Sequence, residues 1–293
     1  MDCSIQSYRH SKDGIINKFV LKSNTDGVVY EASSFLIADR QRLDVCISSM
    51  AGCSFNCSVC ATSNSVLSFE RSLMPSEMIS QFNIAANRED LPDDFTLRVG
   101  FMGNGEPFAN IEAVCETIRC LTQKYRERLT EIAISTIGVN TEVGIPKLLL
   151  TSKWIDRRIK LQLSLYSLRQ DVRKILLPSA PSLNEIINIL DKYGEEIDLP
   201  VRYNFPLIMG VNNSTEDMSL LMNFANENKK HRRIKLSVFN EFPGCNYRGA
   251  SIEEVINKYN LLKDSGLIID LFLGNRDPEI FASCGQMRTI QNK

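Results

Sequence analysis

The sequence predicts an α/β fold, a partial (β/α)6 barrel preceded by an N-terminal β-hairpin. Three observations carry this expectation. From residue 43 onward, short apolar runs alternate with stretches of helical spacing, the pattern of a parallel sheet with crossover helices. Several of those runs end in glycine, hydroxyl or amide residues, which puts polar chemistry in the loops that follow strands, as in barrels. A loop rich in cysteine follows the first strand of the series.

Taken in order, residues 1–14 are polar and are expected to be loose. The runs at 15–22 and 28–37 are rich in β-formers and are joined by Asn24, Thr25, Asp26 and Gly27, so they should form the hairpin. Residues 1–42 are therefore read as an N-terminal tail and hairpin, and 43–293 as the core domain. The first core strand, LDVCIS (43–48), feeds the cysteine loop, and 75–87 opens with Pro-Ser-Glu and continues with helical spacing. Strands at 96–103, 131–136, 159–165, 201–208 and 234–239 precede helices at about 110–126, 141–151, 182–193, 214–228 and 252–265. A strand at 267–273 closes the series. No internal repeat of fixed period and no Pro/Gly/Ser linker interrupts it.

Composition narrows the function classes. The chain of 293 residues can bury a large core, and its 43% hydrophobic and 24% charged residues are ordinary for a globular protein. With 34 Lys plus Arg against 35 Asp plus Glu, the net charge of −1 gives no overall pull toward nucleic acid, so any such binding needs a local patch. The densest basic stretch runs from Lys229 to Lys235; it reads either as a solvated helix end or as a grip on phosphates. No apolar run of eighteen residues and no apolar signal core are present, so a cytoplasmic protein without membrane association is expected. Nine cysteines in a reducing compartment point to metal binding or redox catalysis rather than a disulfide framework.

Residues 46–60, CISSMAGCSFNCSVC, are the chemical centre. Cys53, Cys57 and Cys60 form a C-x-x-x-C-x-x-C triplet, with Cys46 seven residues ahead of it. A structural zinc site is closed by four ligands. Three thiolates on a [4Fe–4S] cluster leave one iron open, which suits chelation by the amino and carboxylate groups of S-adenosylmethionine beside a one-electron donor. Zinc with Cys46 as fourth ligand, or three unrelated buried thiols, are the competing readings. The strand ending at Met102 runs into Gly103-Asn104-Gly105-Glu106-Pro107, where Glu106 could accept hydrogen bonds from the methionine ammonium. Ser135-Thr136, Ser164-Leu165-Tyr166 and Asn240 stand at further strand ends, either as helix caps or as partners for an adenosine and a methionine. Cys284, in Ser283-Cys284-Gly285-Gln286, is either an inert thiol or a reactive one on a tail that folds over the barrel mouth. Cys115 and Cys120 read as core residues.

Together these pieces resemble the radical S-adenosylmethionine adenine methyltransferases of RNA, the RlmN/Cfr type. The resemblance runs from Cys46-Ile47-Ser48-Ser49 and the triplet through Met102–Pro107, Ser135-Thr136 with Gly138, Ser164-Leu165, Asn240 with Phe242-Pro243-Gly244, to Cys284-Gly285-Gln286. It implies a radical-SAM barrel in which Cys53, Cys57 and Cys60 ligate the cluster. It implies that Gly105, Glu106, Ser135, Ser164, Leu165, Tyr166 and Asn240 hold S-adenosylmethionine, with Tyr166 standing where the family has histidine. By the same resemblance Cys284 is the methyl carrier, Cys46 the resolving thiol that leaves a Cys46–Cys284 disulfide, and Glu31 the proton acceptor. The implied reaction methylates carbon 2 or 8 of an adenine in rRNA or tRNA. It needs a one-electron donor such as flavodoxin or ferredoxin and a thiol reductant for the disulfide. The family's N-terminal accessory domain has no counterpart in the 27 residues ahead of the second hairpin strand. Two other readings are weighed against this one: the same chemistry on a small molecule, nucleoside or peptide, and a non-enzymatic, metal-stabilised binding module.

Overall fold

The computed structural model describes residues 2–65, 68–87, 91–92 and 94–274. Three strands open the chain as an antiparallel meander: β1 (Cys3–His10), β2 (Ile16–Ser23) and β3 (Val29–Ile37). β3 also pairs antiparallel with β4 (Arg42–Ile47). Two short strands, β5 (Met50–Ala51) and β6 (Arg71–Ser72), form a ladder of their own. From β4 the main sheet turns parallel through β7 (Thr96–Phe101), β8 (Leu129–Thr136), β9 (Ile159–Ser164), β10 (Val201–Leu207), β11 (Arg232–Val238) and β12 (Ile269–Phe272). The connections are helical: α1 (Pro75–Ala86), α2 (Ile111–Tyr125), α3 (Thr141–Ile155), α4 (Gln170–Leu176) with α5 (Leu183–Ile197), α6 (Thr215–Glu227) and α7 (Ile252–Asp264). Six parallel crossovers follow one another in chain order, as the alternating pattern predicts.

Strand alternation builds two unlike faces. Leu43, Val45 and Ile47 of β4, Leu97, Val99 and Phe101 of β7, and Val201, Tyr203 and Phe205 of β10 point to the helices and pack with Phe82, Ile118, Leu148, Leu190 and Leu221 in one core. The residues between them, such as Asp44, Cys46, Arg98, Glu131, Gln162, Asn204 and Lys235, point the other way. Parallel strands buried on both sides are normally apolar throughout; here the second face bounds a polar lumen, so the strands alternate. Cys46 on β4 and Lys235 on β11 lie in each other's field although four strands separate them. In a flat sheet five strand spacings would put them roughly 24 Å apart. The sheet therefore curls into a partial barrel.

Two elements differ from the sequence expectation. Residues 3–10 are an edge strand and not a loose tail, so the N-terminal hairpin is a three-stranded meander. Tyr8 packs on Phe19 with ring centroids 5.1 Å apart and donates to Asn17 Oδ1 at 2.8 Å, contacts with the next strand that a polar stretch with one exposed face does not announce. The short helix α4 is the second difference, and it lies directly beneath the cysteine loop.

Candidate active site

The cysteine loop leaves the end of β4 and is closed at its base by the β5–β6 ladder, with Ala51 opposite Arg71. Arg71 binds Asp26 of the N-terminal turn at 2.6 and 2.9 Å and Glu77 of α1 at 2.8 Å through each terminal nitrogen, so three parts of the chain converge under the loop. Inside the loop the Asn64 amide donates to the carbonyl oxygens of Cys57, Ser58 and Cys60 at 3.3, 3.4 and 2.8 Å. Ser58 donates to α4, from its backbone to Leu176 O at 3.0 Å and from its hydroxyl to Ile175 O at 3.0 Å.

Around these thiols lies an apolar shell of Val59, Ile137, Leu176, Ile208, Phe239 and Phe242. Burial pushes the Cys53 thiol up to about 12, and Cys57 rises further, by burial and then by its neighbours Cys60 and Cys53. Such thiols ionise only against strong positive charge. One fixed cation is at hand. Arg173 is fully buried, and it donates to Pro181 O at 2.7 Å and Ile137 O at 2.9 Å. Its Nε has no partner, and burial lowers its pKa to about 10 against the opposing pull of Cys57. A buried guanidinium beside the Cys57 thiol, with one hydrogen bond unmade among the described residues, fits a polynuclear, negatively charged cofactor. Among the described residues no three Cys, His, Asp or Glu side chains converge as one metal ion requires.

The turn after β7 is built by crowding. A Cβ on Gly103 would stand 2.6 Å from Ser48 Oγ, and one on Gly105, whose φ is +98°, 2.6 Å from Met50 Cβ. Between them Asn104, nearly inaccessible, accepts from the Glu31 backbone at 3.0 Å and donates to Thr62 Oγ1 at 3.0 Å, tying β3 to the cysteine loop. The Glu106 carboxylate is buried and accepts from the backbone amides of Phe108 at 3.0 Å and Ile137 at 2.8 Å. Burial outweighs these bonds and raises its pKa from 4.5 to about 7. Between those two values the folded protein holds a proton that the unfolded chain has released, so stability falls as pH rises across this window. We expect cluster-free protein to lose on the order of 3 kcal/mol through this group between about pH 4.5 and 7.5, and Glu106→Gln to flatten that slope in urea titrations. An unchanged slope would refute the assignment.

Cys46 lies on the lumen face of β4, opposite Gly100 of β7. A Cβ at residue 100 would come 3.6 Å from Cys46 Sγ, so glycine keeps the space beside the thiol clear. Burial raises the Cys46 pKa, while Arg98 and Lys235 pull it down. Ser33, paired with Cys46 across β3 and β4, supports the thiol, and Glu31 lies two residues along β3 on the same face. There Glu31 forms a buried ion pair with Lys18 of β2 at 3.3 Å.

A cavity of about 220 Å³ opens between the cysteine loop and the lumen, bounded by Cys60, Tyr166, Asn204, Lys235, Ser237 and Asn240 among others. It gathers one cluster cysteine and two of the residues assigned to S-adenosylmethionine. Tyr166 is held at φ +58°, where non-glycine residues are uncommon, by Asn212, which donates to Tyr166 O at 2.7 Å. Ser135 accepts from Gln162 at 3.2 Å, and Leu165 is fully buried with its amide on Asn204 O at 2.9 Å. Ser164 ends β9 on the lumen side. Cys284 lies outside the described residues. A larger cleft of about 670 Å³, lined by Lys153, Arg157 and Asp198, sits at the opposite, amino ends of the strands.

Sequence reading missed Lys18, Arg173 and Asn212, and met Asn104 and Lys235 only as members of a turn and of a basic run. The basic run at 229–235 follows the end of α6, where Arg232 donates to Phe224 O at 2.9 Å, but it is not a single patch: β11 starts within it and splits it. Arg232 turns to the helices and binds Asp191 and Glu227, each at 2.6 Å, whereas Arg233 and Lys235 face the lumen. Among the described residues no helix is long and apolar enough to cross a membrane.

The chain is 31% identical over 285 residues to the probable dual-specificity RNA methyltransferase RlmN of Chlorobaculum tepidum, covering 93% of this chain and 71% of that protein. It is 29% identical over 294 residues to the dual-specificity RNA methyltransferase RlmN of Desulfotalea psychrophila, covering 95% and 76%. A crystal structure of a radical SAM methyltransferase from Sphaerobacter thermophilus superposes with a TM-score of 0.83 at 26% identity, covering 98% of this chain and 81% of that one. No family model matches the chain.

Proposed function

Since the chain belongs to the RlmN family of radical S-adenosylmethionine methyltransferases, we propose that it methylates carbon 2 or 8 of an adenine in rRNA or tRNA by way of a methyl group carried on Cys284. Cys53, Cys57 and Cys60 would hold the [4Fe–4S] cluster. Gly105, Glu106, Ser135, Ser164, Leu165, Tyr166 and Asn240 would surround S-adenosylmethionine. Held there, the cluster would supply one-electron reduction of the sulfonium and with it the radical chemistry.

The protein's own groups do the rest. An adenine ring carbon is too electron-poor to attack a sulfonium methyl directly, so the Cys284 thiolate takes the methyl first. Glu31, ion-paired with Lys18 at the edge of the lumen, accepts the proton that the ring carbon loses. Cys46 attacks the Cys284 sulfur and the sulfur–carbon bond breaks; its electron pair passes to the transferred carbon, which takes up a proton and leaves as the product's methyl, and the resulting disulfide is reduced by an external thiol. The electron comes from a small carrier such as flavodoxin or ferredoxin.

The observation that supports this reading most is the placement of Cys46. It shares the lumen with Lys235, which borders the same cavity as Cys60. Peptide mass spectrometry of reconstituted protein incubated with S-adenosylmethionine should find a methyl group on Cys284. Digested RNA from a deletion strain should lack a methyladenosine that its parent contains. An unmodified Cys284 would remove the carrier, and unchanged RNA would remove the substrate.

A further inference from the structure

We propose that Lys235 anchors a phosphate subsite in the barrel lumen, holding a phosphate of the nucleotide whose adenine is presented to the cavity below the cluster loop. The inference rests on the adenine-methylation reading and adds the group that grips the substrate.

A charge inventory of the lumen leads to it. Arg42, Arg98 and Lys160 share the carboxylates of Asp44 and Glu131. Arg202 and Arg233 share Asp270, at 2.8 and 3.9 Å. Among the described residues, and with the Lys18–Glu31 pair at the lumen's edge balanced within itself, six cations, Lys235 included, thus face three carboxylates. Lys235 is the one without a carboxylate within ion-pair distance or a hydrogen bond among the described residues; the Phe272 ring, 4.5 Å from its Nζ, is its near neighbour.

Electrostatics point the same way. Burial, with Arg98 and Arg202, lowers the Lys235 pKa to about 8 against the opposing pull of Cys46 and Asp270. A half-buried ammonium surrounded by other cations is costly, and an anionic ligand would relieve the cost. Neutral donors stand beside it: Ser237 Oγ lies 3.4 Å from Asn204 Oδ1, and both side chains border the same cavity. The methionine carboxylate is spoken for in this reading, since it would bind the open iron of the cluster. An adenine ring carries no negative charge, so the phosphate of its nucleotide is the group left. A compact ammonium with rotatable donors suits phosphate without demanding one orientation.

The test is binding to anaerobically reconstituted holoenzyme, which needs no methyl transfer. Adenosine, adenosine 5′-monophosphate and a trinucleotide with central adenine are titrated against wild type, K235M and K235R. Both phosphate-bearing ligands should bind wild type at least about tenfold more tightly than adenosine. K235M should erase that advantage, K235R should retain most of it, and S-adenosylmethionine affinity should stay unchanged in both. In wild type the advantage should shrink as pH rises past the Lys235 value, which keeps the inference falsifiable even if K235M fails to fold. Equal binding of adenosine and its phosphates, or a K235M variant that loses S-adenosylmethionine affinity instead, would overturn it. Phosphate preference without methylated RNA would count against the RNA reading alone.

Discussion

Replacing Cys46 by alanine should convert a catalyst into a trap, with steady-state turnover falling by at least about 10³-fold. Once the carrier sulfur is joined to the substrate through the transferred carbon, release requires a second thiol to attack that sulfur. Among the described cysteines Cys46 is placed for it: it faces the lumen, Gly100 leaves its sulfur uncovered, and Arg98 and Lys235 oppose the burial that keeps it protonated. Of the other described cysteines off the cluster triplet, Cys3 and Cys115 are buried in the core with the helices, and Cys245 packs in the apolar shell of the cysteine loop. The expected product of the variant is a nucleoside-sized mass on the Cys284 peptide after nuclease digestion. Free methylated product at the wild-type rate would refute the role.

Arg173→Met should have the largest effect on the assembled site. The substitution strips Pro181 O and Ile137 O of their donors and removes the buried positive charge beside Cys57. Losing those bonds should destabilise the cluster-free protein by about 2–4 kcal/mol in urea denaturation. Losing the charge should lower the iron content after reconstitution and shift the cluster's reduction potential to more negative values, because the reduced, more anionic state loses its counter-ion. Arg173→Lys should restore part of the potential but not the stability, since one ammonium cannot replace the planar fork. Wild-type stability and potential in Arg173→Met would show that the residue is only a packing element.

What the sequence discloses and what it conceals follow from the range of the forces involved. The parallel core was legible because its strands and helices repeat a local period. The cysteine triplet and the Met102–Pro107 turn were legible because their chemistry is written within a few consecutive residues. The edge strand at 3–10 was not, because its stabilising partners, Phe19 and Asn17, lie on the next strand. Lys235 and Arg173 were hidden for a related reason. A charged residue discloses its role only through the partners that the fold brings to it or withholds. Read linearly, Lys235 belonged to a basic run; alternation on β11 sends Arg232 to one face and Lys235 to the other. Lys18 likewise gains meaning only from strand pairing, which sets it beside Glu31.

Apart from the Cys57 thiol, which donates to Phe55 O at 4.0 Å, the bonds that shape the cysteine loop come from other groups. Asn64 gathers three carbonyls, Ser58 rests on the end of α4, and the ladder with Arg71 shuts the base, all without a thiol as partner. The loop's backbone is therefore held by amide, hydroxyl and guanidinium groups that ligation of an inorganic component would leave in place. We expect that filling such a mould costs little chain entropy. A donor carrying a preassembled cluster would then meet a receptor whose polypeptide needs no refolding to accept it.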